Sequence, residues 1–243
     1  MTDIPAPFDE KDLLAAITAN SQDLNDELLW LAANHEWTAY IGAQLFEAAG
    51  TEAINTYRLT RNPALLAVSL TVLDEALDRM DAAAPALADV AVTLGGALRE
   101  AAAVFGDPEL LDDAVAMGQL AVQAEVDATD PAGCWGDLAV SHKARHEIAG
   151  GTDSRADIDL AVQCLERAVG LADDDVAAAY WSNLGATLID RYWLVGDTSD
   201  LDNAIEACGV AAEVGTQDPD LPAYLANLCL AGYLRVEAGG LSA

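Results

Sequence analysis

Apolar residues in this chain recur at offsets of three, four and seven, the spacing that lines one face of an α-helix. The pattern predicts a succession of helices, and the helices are themselves repeated. Ala91-Val-Thr-Leu94-Gly95-Gly-Ala-Leu98, Trp135-Gly-Asp-Leu138-Ala139-Val-Ser-His142, Trp181-Ser-Asn-Leu184-Gly185-Ala-Thr-Leu188 and Leu225-Ala-Asn-Leu228-Cys229-Leu-Ala-Gly232 read as copies of one helix. Their central leucines lie at 94, 138, 184 and 228, giving periods of 44, 46 and 44 residues. A fixed period in this range marks a repeat array.

A second helix repeats with the first. Leu111-Asp-Asp-Ala114-Val115, Ile158-Asp-Leu-Ala161-Val162 and Leu201-Asp-Asn-Ala204-Ile205 align, and each continues with small or apolar residues at offsets of four and seven. These are Ala114, Gly118 and Ala121, then Ala161, Leu165 and Ala168, then Ala204, Cys208 and Ala211. Small residues on one face let two helices approach closely. Gly106-Asp107-Pro108 and Gly196-Asp197-Thr198 separate the two helices of a unit. Gly suits the helix end because it takes positive φ freely, and Asp, Ser or Thr caps the next N-terminus. In the third unit this linker reads Gly150 to Asp157 and is longer. A longer loop is usually harmless, but it can also be a binding loop.

The units predicted are 36–82, 86–130, 132–174 and 177–217, followed by a lone helix at 223–238 and a tail at 239–243. In the first unit, Asn62-Pro63 aligns with Asp107-Pro108, and its first helix covers Trp37 to Leu59. Residues 1–35 form an N-terminal helical cap, because end repeats must be atypical. Ala231, Leu234 and Val236 make the last helix apolar for a cap, which favours either a longer parent chain or a partner over that end. The fold class expected is all-α, a right-handed α-solenoid of antiparallel helix pairs.

The net charge is −30, from 41 acidic and 11 basic residues. Nucleic acid and anionic membranes are disfavoured as partners, since no basic cluster exists to neutralise phosphates. A basic partner would be steered toward such a surface. No apolar run reaches the roughly 20 residues of a membrane-spanning helix. Met1 to Phe8 has neither a basic region nor an apolar signal core, which predicts a cytoplasmic protein. Cys134, Cys164, Cys208 and Cys229 lack CxxC spacing, and they read as reduced core residues. Trp135 and Trp181 share one slot and read as core; Trp30, Trp37 and Trp193 complete the set.

Candidate chemistry is sparse. His142 and His146 lie at i and i+4 on one helix face, followed by Glu147, and two such histidines can ligate one metal. In the repeat alignment His142 replaces Leu98 and Leu188, and His146 replaces Tyr192. Both are therefore read first as polar substitutions in a packing seam, hydrogen-bonded to neighbours, with a metal or acid-base role as the alternative. The remaining histidine is His35, in the predicted cap. No dinucleotide, Walker, nucleophile-elbow or H-E-x-x-H motif is present, and no cofactor is expected.

Trp181-x-x-Leu184-Gly185-x-x-Leu188 with Ala204-x-x-x-Cys208 resembles the tetratricopeptide repeat signature, with Leu in place of its Tyr and Cys in place of its Phe. The two halves stand about seven residues further apart here, which adds about two helical turns. Asn183-Leu184-Gly185, Asp190-Arg191-Tyr192, Gly196-Asp197 and Leu201-Asp202-Asn203-Ala204-Ile205 are similar to a long variant common in actinobacterial proteins, where it often precedes a CHAT protease domain or another effector. The resemblance covers roughly residues 36 to 238 and implies partner binding.

The function expected is a non-catalytic scaffold or sensing module that holds a protein or peptide in a concave groove. Its register assigns Arg99, Val140, Lys143, Ile189, Asp190, Leu230 and Tyr233 to the groove. The face is mostly apolar and suits an amphipathic helix, though the N-terminal segment could fill it instead. The basic clamp with which some tetratricopeptide domains hold peptide C-termini is not evident. The alternative is an enzyme or a metal or small-ligand binder with a pocket around His142 and His146.

Overall fold

The computed structural model describes residues 43–80, 84, 86–149, 154–173 and 176–240. These form nine α-helices and no strand: α1 (Ala43–Thr60), α2 (Pro63–Asp78), α3 (Leu87–Phe105), α4 (Leu110–Gln123), α5 (Pro131–Ala149), α6 (Ser154–Leu171), α7 (Ala177–Val195), α8 (Thr198–Val214) and α9 (Leu221–Gly240). A 3₁₀ turn, Glu125–Asp127, precedes α5. The expected cap at 1–35, with His35 and Trp30, lies outside the described residues, as does Trp37.

The turns follow the expected chemistry. Gly106 and Gly196 end α3 and α7 with φ of 69° and 79°. Both positions are left-handed, where a Cβ would be strained. Asn62 caps α2 through Ala64 N at 3.1 Å, with Pro63 at the first helical position. Asp197 caps α8 through Ser199 N at 2.9 Å.

Short turns make the helices antiparallel pairs. Phe46 and Ala53 of α1 pack with Val72, Leu73 and Ala76 of α2. Further along α1, Ile54 and Tyr57 meet Leu65 and Leu66 near the start of α2. Pairs α3/α4, α5/α6 and α7/α8 follow, and α9 packs on α8 and α7. All the extensive contacts among the described residues join helices that are adjacent or next but one along the chain.

The predicted seam is the core. Ala114, Ala121, Ala161, Ala168, Ala204, Cys208 and Ala211 are fully buried. Gly50, Gly95, Ala139 and Gly185 occupy one slot on successive first helices; Gly50 and Gly185 face the second helix of their own pair, and Gly95 lies between its own second helix and Asp137 of α5. A Cβ on Gly50 would lie 2.5 Å from Leu73 Cγ, and one on Gly185 would overlap Cys208 Sγ.

Two boundaries differ from the sequence reading. Helix α6 starts at Ser154, so Asp157 belongs to its first turn and not to a linker. Residues 150–153 lie outside the described residues. Helix α9 runs through Gly239 and Gly240, so the helix takes in the first part of the expected tail. Only residues 241–243 lie beyond it, and they are outside the described residues. Its Ala231 and Leu234 are buried against the preceding pair, while Val236 faces outward. Inward packing therefore accounts for two of the three apolar residues that make α9 unusual in the sequence.

Candidate functional site

The histidine pair sits on α5, and its two members have different surroundings. His142 is buried, with Nδ1 2.8 Å from Asp157 Oδ1 on α6. His146 is half-buried and lines an open cleft of about 300 Å³ with Glu147, Asp190, Trp193 and Leu194. Among the described residues no group of three or more His, Cys, Asp or Glu is placed to hold a metal.

Asp157 is the centre of an ionic cluster. Arg145 clamps it with two hydrogen bonds, Nη2 to Oδ1 at 2.6 Å and Nε to Oδ2 at 3.0 Å. Its third nitrogen reaches Asp112 of the preceding pair at 2.8 Å. Burial alone would raise the Asp157 carboxyl, but hydrogen bonds from Arg145 and His142 outweigh it and hold the group below the usual carboxylate range. Hydrogen bonding to Asp157 likewise raises the Arg145 guanidinium.

The cluster is itself repeated. Arg191 clamps Asp200 of its own pair, at 2.6 and 3.1 Å, and reaches Asp159 of the preceding pair at 3.4 Å. Arg235 of α9 reaches Asp202 of the preceding pair at 2.6 Å. Aligning the copies on apolar slots passes over this basic slot, although Arg145, Arg191 and Arg235 recur at the same spacings of 46 and 44. The carboxylates could not be assigned from sequence, because a linker reading of Gly150 to Asp157 takes Asp157 off the helix.

The expected groove residues scatter. Arg99 is engaged, with Nη2 2.5 Å from Asp137 Oδ1 and Nη1 2.7 Å from Ser141 Oγ, joining α3 to α5. Lys143 pairs with Asp190 at 2.7 Å, joining α5 to α7. Val140, Leu230 and Tyr233 are exposed. Ile189 is buried in the central cluster and offers no surface to a partner, which corrects its assignment to the groove. It faces inward because the one-residue step from Asp190 turns a helical position by about 100°.

A surface feature absent from that register is more regular. Leu59, Val104, Ile148 and Leu194 are each the penultimate residue of a first helix, and they are 87%, 42%, 53% and 43% exposed. Phe105, Trp193 and Val195 extend the row. Trp193 therefore leaves the core reading that still suits Trp135 and Trp181, both packed against the central cluster.

All four cysteines are free. Cys134, Cys164 and Cys208 are buried, and burial pushes their thiols up to about 11. Cys229 is exposed, so the reading of reduced core residues fails for it. At pH 8 a thiol reagent is expected to label Cys229 quickly and the other three only after denaturation. Fast labelling of two or more cysteines in the native protein would contradict this burial pattern.

No helix among the described residues is long and apolar enough to cross a membrane. No protein-family model matches the chain. No curated protein matches it significantly.

Proposed function

We propose that the helix pairs stack as a right-handed α-solenoid of tetratricopeptide-like repeats, and that the chain is a non-catalytic scaffold for a protein partner. The extensive contacts among the described residues join near neighbours in sequence, the pattern that stacked repeats make, and this supports the stacking. The binding role rests on the row of Leu59, Val104, Ile148 and Leu194. Single exposed apolar side chains are ordinary, but a repeated one at the same helix end builds an extended patch, and such patches mark interfaces. The neighbouring carboxylate of Glu147 and the net charge of −30 give this edge an acidic setting, while Asp190 is already paired with Lys143. An amphipathic helix with apolar anchors and basic flanks fits both features.

A synthetic amphipathic Lys/Leu helix serves as the probe, with a Glu/Leu helix as control. The basic peptide is expected to bind and to shift the fluorescence contributed by Trp193, identified by comparison with Trp193→Phe. Ile148→Ser combined with Leu194→Ser is expected to weaken binding at least about tenfold. Undiminished binding by that double variant, or equal binding of both peptides, would remove the support for this edge as the docking surface.

A further inference from the structure

The turn that ends a first helix recurs along the chain, and its first copy is written differently. Gly106-Asp107 follows α3 and Gly196-Asp197 follows α7, whereas Arg61-Asn62 follows α1. All three leading residues are left-handed, with φ of 69° and 79° at the glycines and 57° at Arg61. Glycine takes this conformation freely, but a residue with a side chain is strained in it. The next residue is an aspartate in the two later turns and the neutral Asn62 in the first. The same turn thus carries a positive charge after α1 and a negative one after α3 and α7.

Arg61 also stands apart from the other cations. Every other lysine and arginine among the described residues lies within ion-pair distance of a carboxylate. Its neighbour Arg58, for example, is held by Glu100 at 2.7 Å. Arg61 is exposed and has no carboxylate partner among the described residues. Its guanidinium stands over the Tyr57 ring, 5.7 Å from the centroid. A ring face steadies the guanidinium but leaves the N–H donors in its plane unused. In a chain with a net charge of −30, an arginine kept free of carboxylates in a strained turn is not explained by the fold.

Its position is at one end of the exposed apolar row. Arg61 follows Leu59, the most exposed member of that row, by two residues. Carboxylates border the rest of it: Asp107 lies two residues beyond Phe105, Glu147 is next to Ile148, and Asp197 lies two residues beyond Val195. We infer that Arg61 sets the direction in which a helix docks on the row, with a carboxylate-bearing end over α1 and a lysine- or arginine-bearing remainder over α3, α5 and α7. This rests on the row being the docking surface proposed above. It names a partner helix of mixed sign, where net charge alone favours a uniformly basic one. The stacked guanidinium is already placed to take the partner's carboxylate through its unused donors.

The test compares two amphipathic peptides of about 20 residues, helices about 30 Å long. One is the Lys/Leu helix used above, and the other carries Glu in place of Lys in its first turn. The mixed peptide is expected to bind the full chain at least about threefold more tightly at low salt, the scale of one exposed ion pair. A nitroxide on its lysine end should quench Trp193, read as the difference between the parent and Trp193→Phe, and a nitroxide on its glutamate end should not. Arg61→Gly should abolish the preference between the peptides. That variant should also unfold at no lower temperature than the parent, because glycine fits the left-handed turn, so misfolding does not account for the loss. A preference that survives Arg61→Gly, or equal quenching from both ends, overturns the inference. Ile148→Ser with Leu194→Ser separates the two readings: binding unchanged in that variant removes the row itself, whereas binding lost there with the preference intact in Arg61→Gly removes only the role of Arg61.

Discussion

Replacing Asp157 by Asn is expected to destabilise the protein by about 3 kcal/mol, because it leaves the Arg145 clamp facing a neutral group in a buried setting. The substitution keeps the size of the side chain, so the loss is electrostatic and not a cavity. Asp112→Asn removes the other carboxylate on the same guanidinium, yet that side chain is 72% exposed. Its cost should stay under about 1 kcal/mol, as for most exposed pairs. Urea denaturation of the two variants separates the cases; equal losses would show that burial does not set the strength of the clamp. The effect also has a direction with pH. The Asp157 carboxyl is held below its ordinary range, so its stabilisation is complete above the unfolded value near pH 4 and fades as pH falls through the folded one. The gap between the parent and Asp157→Asn should therefore narrow in acid. A gap that widened there would reverse the assignment.

Gly185→Ala is expected to cost about 2 kcal/mol although alanine favours helix. The new methyl would overlap Cys208 Sγ and stand 3.3 Å from the Ala204 carbonyl, so neighbouring helices must part. In a Cys208→Ala background the sulfur is gone, and most of the penalty should vanish. The double-mutant cycle reads that difference directly. Gly209 is the matched control on α8, facing open space, with no atom within 4 Å of the point where a Cβ would stand. Gly209→Ala should stabilise by roughly 0.5–1 kcal/mol, the plain helix propensity. If Gly185→Ala behaves like Gly209→Ala, α7 and α8 are not in close contact at this slot.

These two experiments probe features of unequal legibility. The small-residue seam is readable because Ala114, Ala161 and Ala204 recur in phase with a helix, and burial follows from that phase alone. The turns are readable at Gly106 and Gly196, where glycine is the residue that positive φ selects. The ionic clamps are not, because the carboxylate that answers Arg145 lies on a different helix. Nothing in the local pattern of Arg145 names it. His142 shows the same limit. Its slot in the alignment marks it as a polar intruder among leucines, but the reason it is tolerated is Asp157, supplied by α6. Surface features are the least accessible. Trp193 reads as core by residue type, and Ile189 reads as groove by register. The first lies in the last turn of its helix, where it is 65% exposed. The second sits one step around the helix from Asp190.

Three of the four joints are written in the same terms: an arginine on the incoming helix and an aspartate on the outgoing second helix, as in Arg145 with Asp112, Arg191 with Asp159 and Arg235 with Asp202. Ala67 and Ala101 stand in those slots at the first joint, so it has no ionic stitch of this kind. The later joints share this stitch but not every contact, since Arg99 also bonds Asp137 and Ser141, whose counterparts one unit on are Asn183 and Thr187. A chain spliced from Trp135 directly onto Ser182 would bring Arg191 opposite Asp112 and re-form the stitch, while Arg99 would face Asn183 and Thr187 in place of Asp137 and Ser141. The stitch would survive such a splice and the Arg99 contacts would not, so the spliced chain separates the contribution of the one from that of the other.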